Sequence, residues 1–318
     1  MMRKHSVFSR KKDLPLATAL LTAATLTLAA CAVPFTSDTA TEPAQAQCPQ
    51  SGQWVIAGQQ GTFSMRDVLD QVDDNTVVLL GERHDRMRDH YWQLHIIAGL
   101  HGRFDQLAVG YEMFARDQQP VLTDWVAGKL TRDEFHRASD WDERWGLSFD
   151  LYEPLLAFNQ LQQVPAFALN VEPELVNRIG REGWGAVPAH ERHGIGPGAE
   201  PEADYQAYLT EVAGRHGHLE PTEEDVEQFI RAQGVWDRAM AEGLSEMLDQ
   251  GYGPVVGIVG RGHVFNGHGI PYQLSDLGAQ SVMVLLPYRA GEDCLGPDGR
   301  LADALYGMPE RQQEEGDD

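Results

Sequence analysis

The stretch Val77-Val78-Leu79-Leu80-Gly81-Glu82-Arg83-His84 decides the fold. Its four aliphatic residues make a run too short for a helix and typical of a strand covered on both faces. The run stops at Gly and three ionisable residues, as a strand does where it leaves a sheet at its carboxyl end. In open α/β sheets, ligands bind at that end. Glu82 and His84 stand two apart, so an extended chain points them the same way. Asp85 is expected to cap a helix beginning near Arg86.

Outward from this stretch, short apolar runs alternate with helical ones. Trp54-Ala57, Leu107-Tyr111, Pro165-Leu169, Val255-Val259 and Val282-Leu286 read as further strands, the last of them closing the fold. Helices are expected at Met65-Val72, Arg86-Leu100 and Arg116-Val126, and another from Asp225, with Thr222 as its cap. Buried runs separated by helices predict an α/β fold: a largely parallel sheet with helices on both faces. Residues 116–163 and 172–250 hold helices only, so a helical insert and a helical subdomain are attached to that sheet. The core is then 51–115, the strand at 164–171, and 251–293; residues 294–318 are expected to be mostly disordered.

The N-terminus reads as a targeting segment. Arg3, Lys4, Arg10, Lys11 and Lys12 precede the apolar stretch Leu14-Ala30, which is shorter than the ~20 residues of a membrane span. Leu28-Ala29-Ala30-Cys31 resembles a bacterial lipobox. Residues 1–30 are then a lipoprotein signal peptide, Cys31 carries lipid, and 31–50 form a flexible tether with little to bury. Ala32 after the cysteine resembles the outer-membrane sorting pattern, so the expected place is the outer membrane, lipid-anchored. Outside the cytoplasm, Cys48 and Cys294 are expected to form a disulfide joining the two ends of the fold, with two free thiols as the alternative. The formal charge of −23 excludes a basic nucleic-acid groove.

Four strand ends carry polar groups: Glu82 and His84, then Glu112, then Asn170, then Gly260-Arg261-Gly262-His263. Parallel strands bring all of them to one edge. His and Glu together suit a divalent metal or general acid–base chemistry, with His84 and His263 as candidate metal ligands. The motif glycines are expected to permit positive φ and a close backbone approach to a ligand. Arg83, Arg86, Arg88 and Arg261 form a cationic group suited to two-point binding of carboxylates.

Together Gly-Glu-Arg-His-Asp, Tyr111-Glu112-Met113-Phe114 with Gln118-Gln119, Asp150-Leu151-Tyr152-Glu153-Pro154, Asn170, Gly-Arg-Gly-His and Gly269-Ile270-Pro271 resemble the ChaN-like haem-binding lipoproteins. That family is similar to a wider superfamily with erythromycin esterases, TraB and Tiki proteases, sharing two Gly-x-x-His motifs and a glutamate. The resemblance covers about residues 54–288; residues from about 185 to 222 match nothing in it. It implies haem as the ligand, a role in haem and iron acquisition, and a cleft that takes up haem between two subunits of a homodimer. His84, His263, Glu82, Glu112, Arg83, Arg261, Tyr152 and Asn170 are the expected haem-site residues, with Trp141 and Trp145 as candidate walls. A His or Tyr can ligate the iron, and Tyr91 and His95 share one helix face. The competing expectation is a hydrolase in the same cleft, with His84 or His263 as base and Glu82 or Glu112 as metal ligand or acid.

Overall fold

The computed structural model describes residues 48–216, 221–296 and 300–309, so the targeting segment, Cys31 and most of the tether lie outside the described residues. In chain order the elements are β1 (Trp54–Ile56), α1 (Met65–Leu69), β2 (Thr76–Glu82), α2 (Met87–His101) and β3 (Ala108–Ala115). Then come α3 (Gln119–Val126), α4 (Arg132–Ala138), α5 (Trp141–Arg144), α6 (Glu153–Gln162), β4 (Ala166–Asn170), α7 (Pro173–Glu182), α8 (Ala203–His216) and α9 (Glu223–Asp249). The chain ends with β5 (Val255–Gly260), α10 (Ile270–Asp276), β6 (Ser281–Tyr288) and β7 (Ala304–Gly307). One sheet has the order β1-β7-β6-β2-β5-β3-β4, parallel throughout except for β1, which runs antiparallel to β7 at the edge.

The central strands β2, β3 and β5 are buried at every position and mostly apolar, because both faces are covered. Val78, Leu80, Val109, Val256 and Leu285 face one layer, where Trp92, Ile96 and Leu100 of α2 meet Trp125, Phe135 and Leu155 of the 116–163 insert. Val77, Leu79, Val259 and Leu286 face the other, against Met240, Leu244 and Met247 of α9 and Ile270 and Leu274 of α10. The insert therefore supplies much of one covering layer. In 172–250, α7 packs on α9 through a cluster of its own containing Leu175, Ile179, Val235 and Ala239. Thr222 caps α9, its hydroxyl accepting the Asp225 N–H while Asp225 Oδ2 accepts the Thr222 N–H.

Three sequence expectations are corrected. The fold does not close at Leu286: β7 inserts between β6 and β1, so the region after Cys294 contributes a core strand. A four-residue Ala-Leu-Tyr-Gly segment carries no long apolar run, and its place in the sheet comes from pairing with β6 over Leu285↔Ala304 to Tyr288↔Gly307. Residues 310–318 lie outside the described residues. Asp85 does not cap α2; Arg86 takes that position without a side-chain bond, and Asp89 Oδ2 accepts the Arg83 N–H at 3.1 Å instead. Gly81, Gly260 and Gly262 are not among the positive-φ residues. Gly260 instead makes room: a Cβ there would lie 2.8 Å from His84 Cε1. Cys48 and Cys294 are disulfide-bonded, their Cα atoms 5.5 Å apart, which fastens the start of the described chain to the loop after β6.

Candidate functional site

The register Glu82↔Gly260 between β2 and β5 puts the two Gly-x-x-His motifs side by side at the carboxyl edge of the sheet. There the two imidazoles make parallel arrangements. His84 Nδ1 donates to Glu82 Oε1 at 2.8 Å, and His263 Nδ1 donates to Asp237 Oδ1 at 2.5 Å. Both Nε2 atoms face Glu112 Oε1, at 3.9 Å from His84 and 3.6 Å from His263. Glu112 is itself held by the Gly260 N–H, which donates to Oε2 at 2.6 Å, and by Asn170, whose Nδ2 donates to the Glu112 carbonyl at 3.1 Å.

A further ring of groups braces these carboxylates. The Tyr152 hydroxyl donates to Glu82 Oε1 and the Tyr205 hydroxyl to Asp237 Oδ2, each at 2.9 Å. Burial, with the neighbouring carboxylate adding to it, raises both phenols well above their ordinary range, so they act as donors. Burial opposes protonation of His84, but its bond to Glu82 and the charges of Glu112, Glu82 and Asp85 outweigh it and hold the imidazole up to about 9. Burial likewise opposes protonation of His263, and Asp237 and Glu112 overcome it. At neutral pH His84 is therefore an imidazolium, and the same carboxylates raise the proton affinity of His263 on the other side of Glu112.

The sequence-predicted residues divide clearly. Glu82, His84, Glu112, His263, Asn170 and Tyr152 come together as one hydrogen-bonded centre, but Tyr152 and Trp141 are buried and present no surface to a ligand. Trp145 stands edge-on to His84, ring centroids 4.9 Å apart, and is half-buried. Arg83 and Arg261 point to Glu292 rather than into the centre. Among the described residues no group of three or more His, Cys, Asp or Glu side chains is arranged to hold a metal ion, so the divalent-metal alternative lacks support.

A second feature lies on the other side of α2. Tyr91 and His95, with Arg88 one turn earlier, line a groove of about 630 Å³ whose remaining walls include Trp54, Phe63, Met65, Trp92, Tyr306 and Met308. Tyr91 is 54% exposed, an aromatic ring left in solvent beside an apolar surface. Trp92 Nε1 is buried and finds no hydrogen-bond partner. His90, one residue from Tyr91, faces the opposite way and sits 3.6 Å from Glu82 Oε2. One helix thus separates a crowded polar centre from an open apolar groove.

Residues 68–274 match the sequence profile of the haem-binding uptake family of the Tiki superfamily, ChaN. The chain belongs to this family. Among solved structures it is similar to the ChaN of Campylobacter jejuni, described as binding haem cofacially, with TM-score 0.65 and 20% identity over 80% of this chain and 95% of that one. It is also similar to a variant of the erythromycin esterase EreC in its open conformation (TM-score 0.42, 12% identity, 74% and 77% covered). A third similar structure is the type III effector HopBA1 (TM-score 0.43, 10% identity, 74% and 88% covered). No curated protein sequence matches the chain.

Within this ChaN-family fold, sequence reasoning missed Asp237 and Tyr205. Asp237 carried a readable signal: it stands three before Met240 and seven before Leu244, an acid on the buried stripe of α9. A carboxylate on such a stripe needs a partner, and His263 is that partner. Tyr205 lies in the stretch from about 185 to 222, where sequence reading found no motif, and carried no signal.

Proposed function

We propose that the protein binds haem in the groove beside α2, and that it does so as an outer-membrane lipoprotein taking part in haem and iron acquisition. Membership of a haem-binding family supports the ligand. The observation that carries the location is Tyr91, an exposed phenol flanked by His95 and Arg88 in an otherwise apolar groove. A porphyrin needs a flat apolar slot, an axial ligand and cations for its propionates. The groove offers aromatic and Met walls, Tyr91 as axial ligand with His95 beside it and Arg88 as a propionate partner. Bound there, haem supplies iron coordination; the chain contributes the phenol, the walls and the guanidinium.

The strand-end centre, where sequence reading expected haem, suits it less. Its imidazoles already engage carboxylates, and its aromatic rings are packed inside. The groove is open on one side, so one haem face stays uncovered. A second copy of the chain bringing its own haem, in the cofacial manner described for the Campylobacter jejuni protein, would cover it and make the homodimer the binding form. The lipobox ending at Cys31 supports the anchor. Titrating the purified protein with haem tests the location. A saturable Soret shift that weakens at least tenfold in Tyr91→Phe and survives in His84→Gln is expected; the reverse pattern contradicts it.

A second reading rests on the braced histidines. We infer a hydrolytic capacity in which Glu112 accepts a proton from water and His84, held protonated, donates one to the leaving group. This exchanges the roles expected from sequence, because the carboxylates around each imidazole raise its proton affinity. Hydrolysis of an ester or amide panel that vanishes in Glu112→Gln supports it, and a fully inert wild-type protein across that panel removes it.

A further inference from the structure

Arg83 is the third residue of one Gly-x-x-His motif and Arg261 the second of the other; because Glu82 pairs with Gly260, the residue that follows each is an arginine and the two lie at the same sheet edge. Both converge on one carboxylate. Glu292 Oε1 lies 2.8 Å from Arg83 Nη2, and its Oε2 accepts from Arg261 Nη1 at 3.1 Å. Arg86 approaches the same Oε1 at 3.8 Å and has the exposed Asp85 4.0 Å away on its other side. Among the described residues, Glu292 is the one acid within 4.0 Å of Arg83 and of Arg261.

Three features set this cluster apart from an ordinary surface ion pair. Guanidiniums outnumber carboxylates here, in a chain whose net charge is −23. Arg83 and Arg261 each pair with Glu292, and their side chains remain 37% and 21% exposed. Each arginine is also adjacent to, or two residues from, a histidine of the polar centre. Partly exposed pairs of this kind contribute little to stability, so exchanging one carboxylate for another costs little. Glu292 itself shows the fitting geometry: a carboxylate with one oxygen on each motif arginine.

We propose that Arg83, Arg261 and Arg86 form a carboxylate-binding subsite, which Glu292 fills from within the chain and a ligand's carboxylate takes over by displacing it. The occupant is then an organic carboxylate, whose remaining body is delivered to the His84–Glu112–His263 centre. Glu292 lies two residues before Cys294, and the disulfide to Cys48 keeps its loop at the sheet edge. Glu292 thus acts as a tethered competitor with a high effective concentration, which lowers the affinity of a free carboxylate. The inference does not rest on haem binding at Tyr91, which is on another face of α2.

The test uses acetate on the intact protein and on Glu292→Ala, followed by thermal unfolding at constant ionic strength in chloride. Removing Glu292 is expected to lower the melting temperature in chloride, and acetate to restore it with an apparent affinity at least tenfold tighter than in the wild-type protein. Adding Arg83→Gln and Arg261→Gln to Glu292→Ala should abolish the acetate response. An acetate response no larger than that of chloride overturns the proposal, and so does one that persists without the two arginines. Inorganic phosphate acting as well as acetate overturns the carboxylate assignment. Haem is absent throughout, so the outcome is independent of the groove.

Discussion

On one side of α2, His90 turns Nε2 to the His84 carbonyl at 3.1 Å, and every imidazole at the strand ends has a carboxylate or carbonyl to meet. On the other side, Tyr91 and His95 stand in an apolar groove, and among the described residues their side chains make no hydrogen bond. The first region has satisfied its polar groups within the chain. The second has not, which is why we propose it as the ligand groove. Polar residues gathered at a strand end thus mark a centre with its own chemistry. Unanswered polar tips on an apolar wall mark where a large, flat, mostly apolar molecule can bind.

The largest expected effect comes from breaking the satisfied side. Asp237 is buried, and its removal leaves His263 Nδ1 without its carboxylate acceptor, with Glu112 3.6 Å from Nε2 as the remaining neighbour. Loss of one member of a buried pair costs ~3–5 kcal/mol. Asp237→Ala should therefore lower the unfolding free energy by about 3 kcal/mol or more in urea titrations, while haem affinity in the surviving folded protein stays put. A change below about 0.5 kcal/mol would mean that the pair is not the closed unit described.

Tyr152→Phe removes one donor to Glu82 and leaves the other, His84, in place. Hydrogen bonds to charged groups contribute ~1.5–3 kcal/mol, so a loss near the lower end, about 1.5 kcal/mol, is expected by chemical denaturation. The same substitution should leave the Soret titration unmoved, which separates this tyrosine from Tyr91. Tyr91→Phe should behave oppositely. Stability stays within ~0.5 kcal/mol, as for other exposed positions, and haem affinity falls at least tenfold, about 1.4 kcal/mol.

The smallest effect is the pH dependence of the polar centre. His84 is held up to about 9, above its ordinary ~6.5 in an unfolded chain. A folded-state value above the unfolded one means that the stabilisation is full below ~6.5 and is lost as pH rises through about 9. The His84 side chain is 36% exposed, so solvent screening keeps the slope modest. Melting temperature should fall between these two values in the wild-type protein and fall less in His84→Gln. Equal slopes in the two proteins contradict the assignment.

The sheet was legible because its buried strands are continuous apolar runs, and the polar centre because two Gly-x-x-His motifs end neighbouring strands. β7 was not, since Ala304–Gly307 is four residues long and is defined by its neighbours rather than by its own pattern. The groove was hidden for the same reason. Tyr306 and Met308 belong to or follow that unread strand, and they meet Trp54, Phe63 and Tyr91 only once β1 and β7 have paired. The cationic character of Arg83, Arg86 and Arg261 was readable; their shared partner Glu292 was not, because nothing local marks an acid in the loop before Cys294 as theirs. Arg88 was grouped with them in sequence, yet α2 turns it to the groove, where Nη1 donates to the Pro309 carbonyl at 2.9 Å.

We propose that Tyr91, and not an imidazole of the strand-end centre, meets the iron. The electronic and resonance Raman spectra of the haem-loaded ferric protein test it most directly. Phenolate-to-iron charge-transfer features that are present in wild type and His84→Gln and absent in Tyr91→Phe are the predicted result. A spectrum that keeps its ligand signature in Tyr91→Phe and loses it in His84→Gln or His263→Gln would place the haem at the strand ends and contradict the account.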